Sequence, residues 1–280
     1  MRVTAMKREC KICGGEAGFV FSRGAADGII AEAKVNPEGY ERRYYQCGVC
    51  GLLFHNGFDG LDGRQYSLLP GADGTNLVGD GVEPTINRAV RELNIASCLI
   101  SLFHLDPARL RTLVFGCGSG LSFNMFLQNG INAFGSDITL FFQRKMPFPP
   151  GLFKPELVPE MLKRFIKTDR LTGERFDLIA MTEVFEHFTE PLDEMARLVE
   201  LLAPKGILYG TTGMADRVAS GHKEWWYLQC LTHATFLTRK SFAVLCAKLG
   251  VSGLIFPNSG QFVGAAKMSD EQGIFVIQRP

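Results

Sequence analysis

The sequence predicts an α/β fold, a doubly wound and mostly parallel sheet, preceded by a small cysteine-bearing module. Three observations carry this reading. Short apolar runs alternate with helical segments from about residue 84 to the end. A glycine-rich turn, "LVFGCGSG" at 113–120, joins one apolar run to the next helical segment. Two C-x2-C pairs, "CKIC" at 10–13 and "CGVC" at 47–50, lie in an irregular, Gly-rich N-terminal stretch.

A chain of 280 residues has room for one large α/β domain and a satellite. The division expected is residues 1–70 for the module and its linker and 71–280 for the α/β domain. Hydrophobic residues make up 46% and charged residues 21%, with 30 Lys and Arg against 29 Asp and Glu. A globular composition with balanced charge offers no electrostatic reason to bind nucleic acid or a membrane surface. The opening "MRVTAMKREC" lacks the apolar core of a signal peptide, and "ASCLISLFHL" is too short to span a bilayer. The expected location is therefore cytoplasmic, where thiols stay reduced. Cys98, Cys117, Cys230 and Cys246 are isolated in sequence and read as small buried hydrophobes.

The elements follow in order. "EGYERRYYQC" alternates like a strand into the second Cys pair. Residues 61–82 are dense in Gly and Asp and read as a linker or covering loop. "EPTINRAVRELNIASCLISLF" opens with Glu83 and Pro84 and sets Ile86, Val90, Leu93 and Ser97 or Cys98 at helical spacing. The strand-like runs are "RTLVFG", "INAFGSD", "FDLIAM", "GILYGTT", "VSGLIF" and "GIFVIQ"; the helices between them are "LSFNMFLQNG", "PLDEMARLVELLAP" and "TRKSFAVLCAKLG". Residues 138–176 are broken by proline and give no clear third strand.

Cys10, Cys13, Cys47 and Cys50 form a C-x2-C…C-x2-C set whose two knuckles can close a tetrahedral zinc site. Four protein ligands leave no open position, so such a zinc is structural. His55 is not needed as a ligand and is expected in solvent.

The spacing Gly116, Gly118, Gly120 places Leu121 where a nicotinamide-type fingerprint would want its last glycine, which favours a nucleoside cofactor without a pyrophosphate. Asp137 closes the next strand about twenty residues on, where a carboxylate can accept from both ribose hydroxyls.

With these residues in view, the chain from about 84 to 280 resembles the class I S-adenosylmethionine-dependent methyltransferases. "LVFGCGSG" resembles their first motif, "GSDI" their ribose-binding motif, "FDLIAMTEVFEHFTEP" their fourth strand and following loop, and "LLAPKGILYGTT" their fifth strand. "WWYLQCLTHATFLTRKSF" is similar to a segment before a late helix in one subgroup, and ribbons with C-G-L-x-F, here Cys50 to Phe54, precede the domain in a subgroup the chain resembles. The resemblance implies a seven-stranded, Rossmann-like sheet and S-adenosylmethionine as cofactor. Two positions depart from the family. Val114 stands where an acid is usual, and Cys230 and Leu231 replace the Asp and Pro of a D-P-T-H segment.

Methyl transfer from a sulfonium needs positioning, with a base only if the acceptor carries a proton. Expected cofactor residues are Gly116, Cys117, Gly118, Gly120, Asp137 and Glu183, with Asp169 beside Thr168 toward adenine. His233 is the favoured base, because imidazole titrates near neutral pH and the resemblance puts its segment over the pocket mouth. His187 faces the acceptor, with Glu186 as its structural neighbour. Trp225, Trp226 and Tyr227 either wall the acceptor pocket or pack a lid; His222 is expected in solvent and His104 in a structural role. The expected partner is a small-molecule or sugar-type methyl acceptor, with no membrane, nucleic acid disfavoured and a homodimer compatible. The competing readings are a non-catalytic module with a degenerate cofactor fold and a methyltransferase acting on a macromolecule.

Overall fold

The computed structural model describes residues 7–23, 42–57, 59, 82–138, 140, 148–218, 221–230, 232–257 and 271–280. The expected linker at 61–81 and the division at residue 70 lie outside them. Among the described residues no helix is long and apolar enough to cross a membrane.

Four strands open the chain: β1 (Lys7–Glu9), β2 (Glu16–Arg23), β3 (Arg42–Cys47) and β4 (Leu53–His55). They pair antiparallel in sequence order, and residues 235–236 from far along the chain add a fifth strand beside β4. The sequence suggests simple alternation in β3, yet Tyr44 and Tyr45 are both buried. The strand is covered on each face: Tyr45 packs with the cysteines, Ile12 and Leu52, and Tyr44 packs with Trp225 and Phe236.

Helix α1 (Glu83–Leu102) starts where expected, with Pro84 in its first turn. Its buried stripe is rotated from the expected one. Ala89, Glu92, Ile95, Ala96 and Leu99 face inward, together with Arg91, while Ser97 and Cys98 are exposed. Hydropathy assigns Arg91 and Glu92 to solvent and so turns the helix the wrong way.

The larger sheet is built from β5 (Thr112–Phe115), β6 (Ala133–Asp137), β7 (Phe165–Lys167), β8 (Phe176–Thr182), β9 (Leu202–Gly213), β11 (Ser252–Pro257) and β12 (Gln272–Gln278). Between them come α2 (Leu121–Gln128), α3 (Val158–Lys163), α4 (Pro191–Glu200), the short strand β10 (Thr235–Phe236) that joins β4, and α5 (Arg239–Leu249). The strand order is β11-β12-β9-β8-β5-β6-β7. Strands β5 to β9 run parallel, and β12 runs antiparallel to both β9 and β11. This is the seven-stranded, mostly parallel sheet that the resemblance implies. The third strand, illegible in sequence, is β7, three residues at the sheet edge between Arg164 and Thr168. Helix α4 stops at Glu200, before the expected "LLAP", because β9 starts at Leu202.

Phe176, Leu178, Ile179 and Met181 of β8 are buried on both faces, as expected for a central parallel strand under helices. Each such side chain contributes about 1.5–3 kcal/mol of burial. Chain order reverses between β5 and β8, so the crevice outside their carboxyl ends is where an open α/β sheet binds its ligand.

Candidate functional site

The loop after β5 uses backbone that only glycine adopts easily, with φ of +67° at Gly116, +47° at Gly118 and +76° at Gly120. A Cβ on Gly116 would lie 2.5 Å from Cγ2 of Val184. Helix α2 starts directly from Gly120, which aims its unpaired N–H groups at the crevice. The N–H of Gly118 donates to Oδ2 of Asp137 at 2.8 Å, so loop and strand-end acid are one unit. Buried Cys117 lies between them; burial, then Asp137 and Glu92, push its thiol well above its ordinary value. Asp169 occupies the exposed turn after β7, and its neighbour Thr168 places Oγ1 3.1 Å from Oγ of Ser136. Gly116, Gly118, Gly120, Asp137 and Asp169 thus share one sheet edge.

Glu183 follows β8 with φ of +55°, a strained value for a side chain of its size. Its own chain engages the carboxylate. Oε1 accepts from Thr211 Oγ1 at 2.8 Å, and Oε2 accepts from Tyr227 Oη and Gln272 Nε2, both at 2.9 Å. Arg91 Nη2 lies 3.6 Å from Oε1. Glu183 is therefore on the expected edge, held in a network that also fixes Tyr227.

Glu186, His187 and His233 bring one carboxylate oxygen and two imidazole nitrogens within 4.8 Å of one another. Burial, helped by Glu183, lifts the Glu186 carboxyl to about 7; Thr212 Oγ1 donates to its Oε2 at 2.9 Å, and its Oε1 is 3.8 Å from His233 Nε2. Burial alone would lower His233, but Cys230 and then Glu186 raise it to about 9. Burial likewise opposes the Cys230 thiolate, which His233 nevertheless draws down to about 6. Cys230 and His233 thus favour each other's charged forms, with Cys230 at the position where the family segment has Asp. His187 is opposite in character, held well below the usual imidazole range by burial and then by His233. Its Nδ1 lies 3.2 Å from the carbonyl of Thr232, which makes Nδ1 the protonated nitrogen and Nε2 the basic one. The two rings meet edge to face at 4.9 Å.

Trp225 and Tyr227 are buried and stack on each other, while Trp226 is exposed and donates from Nε1 to Glu271 at 2.7 Å. His222 donates to the carbonyl of Ala215 at 2.8 Å, and His104 sits exposed in a turn with φ of +51°. His55, expected in solvent, is fully buried, because residues 233–234 cover it. Of the isolated cysteines, Cys117 and Cys246 are buried as expected, Cys230 is half-buried and Cys98 is exposed. Sequence reasoning missed Arg91, Glu92, Thr212 and Gln272. The one signal available was a charged pair interrupting the small-residue stripe of α1.

In the N-terminal module the four sulfurs of Cys10, Cys13, Cys47 and Cys50 lie within 4.8 Å of one another, with Cys10 and Cys50 at 3.5 Å and Cys13 and Cys47 at 3.4 Å. Disulfides would need about 2.05 Å. Backbone N–H groups of Gly15 and of Val49 and Cys50 point at the sulfurs of Cys13 and Cys47 at 3.3–3.4 Å, as suits thiolate ligands. This donor set fits a closed zinc site.

A family model described as a methyltransferase domain matches residues 88–253. The chain belongs to that family. It is an S-adenosylmethionine-dependent methyltransferase, and the sheet is that of the class I fold. No curated protein matches it by sequence. Among solved structures it is similar to the 1,6-didemethyltoxoflavin N1-methyltransferase of Burkholderia thailandensis, with a TM-score of 0.52, 15% identity, and coverage of 85% of this chain and 95% of that one. It is also similar to the plantazolicin methyltransferase BpumL, with a TM-score of 0.52, 15% identity, and coverage of 75% of this chain and 90% of that one.

Proposed function

We propose that the enzyme transfers the sulfonium methyl of S-adenosylmethionine to a small-molecule or sugar-containing acceptor held against His187 and His233, and that the four cysteines hold a structural zinc. The observation carrying the first part is convergence on one sheet edge: a glycine loop hydrogen-bonded to Asp137, and, with the loop after β8, a pair of imidazoles that meet edge to face. In this reading Asp137 accepts from the ribose hydroxyls, the glycine loop passes beneath the thioether, and the turn of Thr168 and Asp169 borders adenine. His187 is the base. It is neutral near pH 7, so Nε2 can take the acceptor's proton as the acceptor lone pair forms a bond to the methyl carbon and the carbon–sulfur bond breaks. His233 already carries its proton near pH 7, which fits it to polarise the acceptor instead, the reverse of the role its sequence context suggests.

A small acceptor is consistent with balanced charge, and the two structural relatives were solved with 1,6-didemethyltoxoflavin and a triazolic desmethyl analogue alongside S-adenosylhomocysteine. Calorimetric titration with S-adenosylhomocysteine tests the cofactor assignment. Micromolar binding is expected, weakened at least tenfold by Asp137→Ala. Absence of binding by intact protein would favour a non-catalytic module.

A further inference from the structure

Helix α1 turns two consecutive charged side chains into the protein, Arg91 at 2% and Glu92 at 4% exposure. Burying a charge is costly unless it is answered. Arg91 approaches Glu183 at 3.6 Å, beyond hydrogen-bond length, and its Nε and Nη2 are buried without a hydrogen-bond partner among the described residues. Glu183 cannot turn toward them, because Thr211, Tyr227 and Gln272 already hold both of its oxygens. Glu92 lies beside Ser122 in the first turn of α2 and Thr182 at the end of β8, close enough to the glycine loop to act on Cys117. Its backbone carbonyl is fixed by Tyr209 Oη at 2.8 Å. Burial lifts its carboxyl to about 7 against the pull of Ser122, Thr182 and Arg91. Both side chains therefore stand at the switch point between β5 and β8, one a cation with unanswered donors and the other a buried acid that forms no ion pair within 4.0 Å among the described residues. Val114 of β5 is apolar and packs in the same cluster as Ile95 and Ala96 of α1.

A lone anion would answer Arg91 and worsen Glu92; a lone cation would do the reverse. A zwitterion with its two charges one carbon apart answers both. Resting on the cofactor assignment above, we propose that Arg91 and Glu92 receive the α-amino acid end of S-adenosylmethionine, Arg91 taking the carboxylate through Nε and Nη2 and Glu92 taking the ammonium. Helix α1 thereby supplies the acid that the glycine loop lacks at Val114.

The test titrates the full-length protein with S-adenosylhomocysteine and with 5′-methylthioadenosine, which keeps the nucleoside and thioether but has no amino acid group. Wild type should bind the first at least tenfold more tightly than the second. Glu92→Gln, which preserves shape, and Arg91→Met should each lose at least tenfold for S-adenosylhomocysteine while holding 5′-methylthioadenosine within twofold, a result that also shows the variants folded. Unchanged affinity of Glu92→Gln for S-adenosylhomocysteine overturns the inference and leaves the cofactor assignment standing. Parallel loss of both ligands assigns the pair a structural role and overturns it as well. Binding of neither ligand by wild type removes the cofactor assignment itself.

Discussion

His55 donates from Nε2 to the carbonyl of His233 at 2.9 Å and accepts at Nδ1 from the N–H of Gly57 at 3.0 Å, an arrangement that only the neutral ring satisfies. Protonating Nδ1 would set two donors against each other. Burial, with Arg42 adding repulsion, accordingly takes the ring down to about 3. Because the folded value lies below the unfolded value of about 6.5, the unfolded chain gains the proton first. The contribution is present in full above about pH 6.5 and is lost as pH falls toward 3. Between pH 7 and pH 5 this one residue should cost about 2 kcal/mol of stability. Urea melts at the two pH values check it: wild type should lose about that much more than His55→Gln, and equal acid losses would refute the assignment. Zinc release in acid affects both proteins alike, so the difference isolates the ring. In sequence His55 ends "LLFH" just before turn residues, which reads as a strand leaving the core. What buries it is a chain segment more than a hundred residues later, and no local pattern announces that. Asp137 and the glycines, by contrast, were legible because their strand and helix lie within the same short stretch.

At the level of elements, α5 shows how one cap can serve two parts of the molecule. Thr238 Oγ1 accepts from the N–H of Ser241 at 3.0 Å, Ser241 Oγ accepts from the N–H of Thr238 at 2.8 Å, and Thr238 Oγ1 also donates to the carbonyl of Cys50 at 2.9 Å. The first two bonds form a reciprocal N-terminal box, and the third fixes the second cysteine knuckle to the helix. Thr238→Val keeps the shape but removes every hydroxyl bond, leaving a buried carbonyl and a helix N–H unanswered. It should destabilise by about 1–3 kcal/mol in denaturant melts, and Thr238→Ser should recover most of the loss. A loss within 0.5 kcal/mol, about the scatter of neutral surface changes, would count against the coupling. The same scale explains the missed elements. β7 is three residues between charged neighbours, too short to show a period, and α1 buries Arg91 and Glu92, which hydropathy would turn to solvent.

Across the whole molecule, the four-cysteine module and the methyltransferase sheet are joined through the segments that present the imidazoles. Lys11 Nζ donates to the carbonyl of Thr189 at 2.8 Å, Arg42 Nη1 to that of Leu228 at 3.0 Å, and the N–H of His55 to that of Ala234 at 2.9 Å. With β10 paired to β4, these bonds hold residues 228–230 and 232–238 and the loop after β8 from the module side. The glycine loop and Asp137 are held from the other side, by β5, β6 and α2. Two C-x2-C pairs and a glycine loop announced two units; the strand that one unit lends to the other is two residues long and left no trace in the sequence. The division of labour predicts what metal loss does. A structural four-cysteine zinc supplies folding free energy to its module, so chelation should loosen the module and then the segments it clamps. After zinc is stripped, amide hydrogen exchange should accelerate at least tenfold across 42–55 and 228–238, while the S-adenosylhomocysteine dissociation constant changes by less than about threefold. Unchanged protection at 228–238 would mean that the module does not support the acceptor side. Parallel loss of cofactor affinity would mean that zinc stabilises the whole sheet rather than one rim of it.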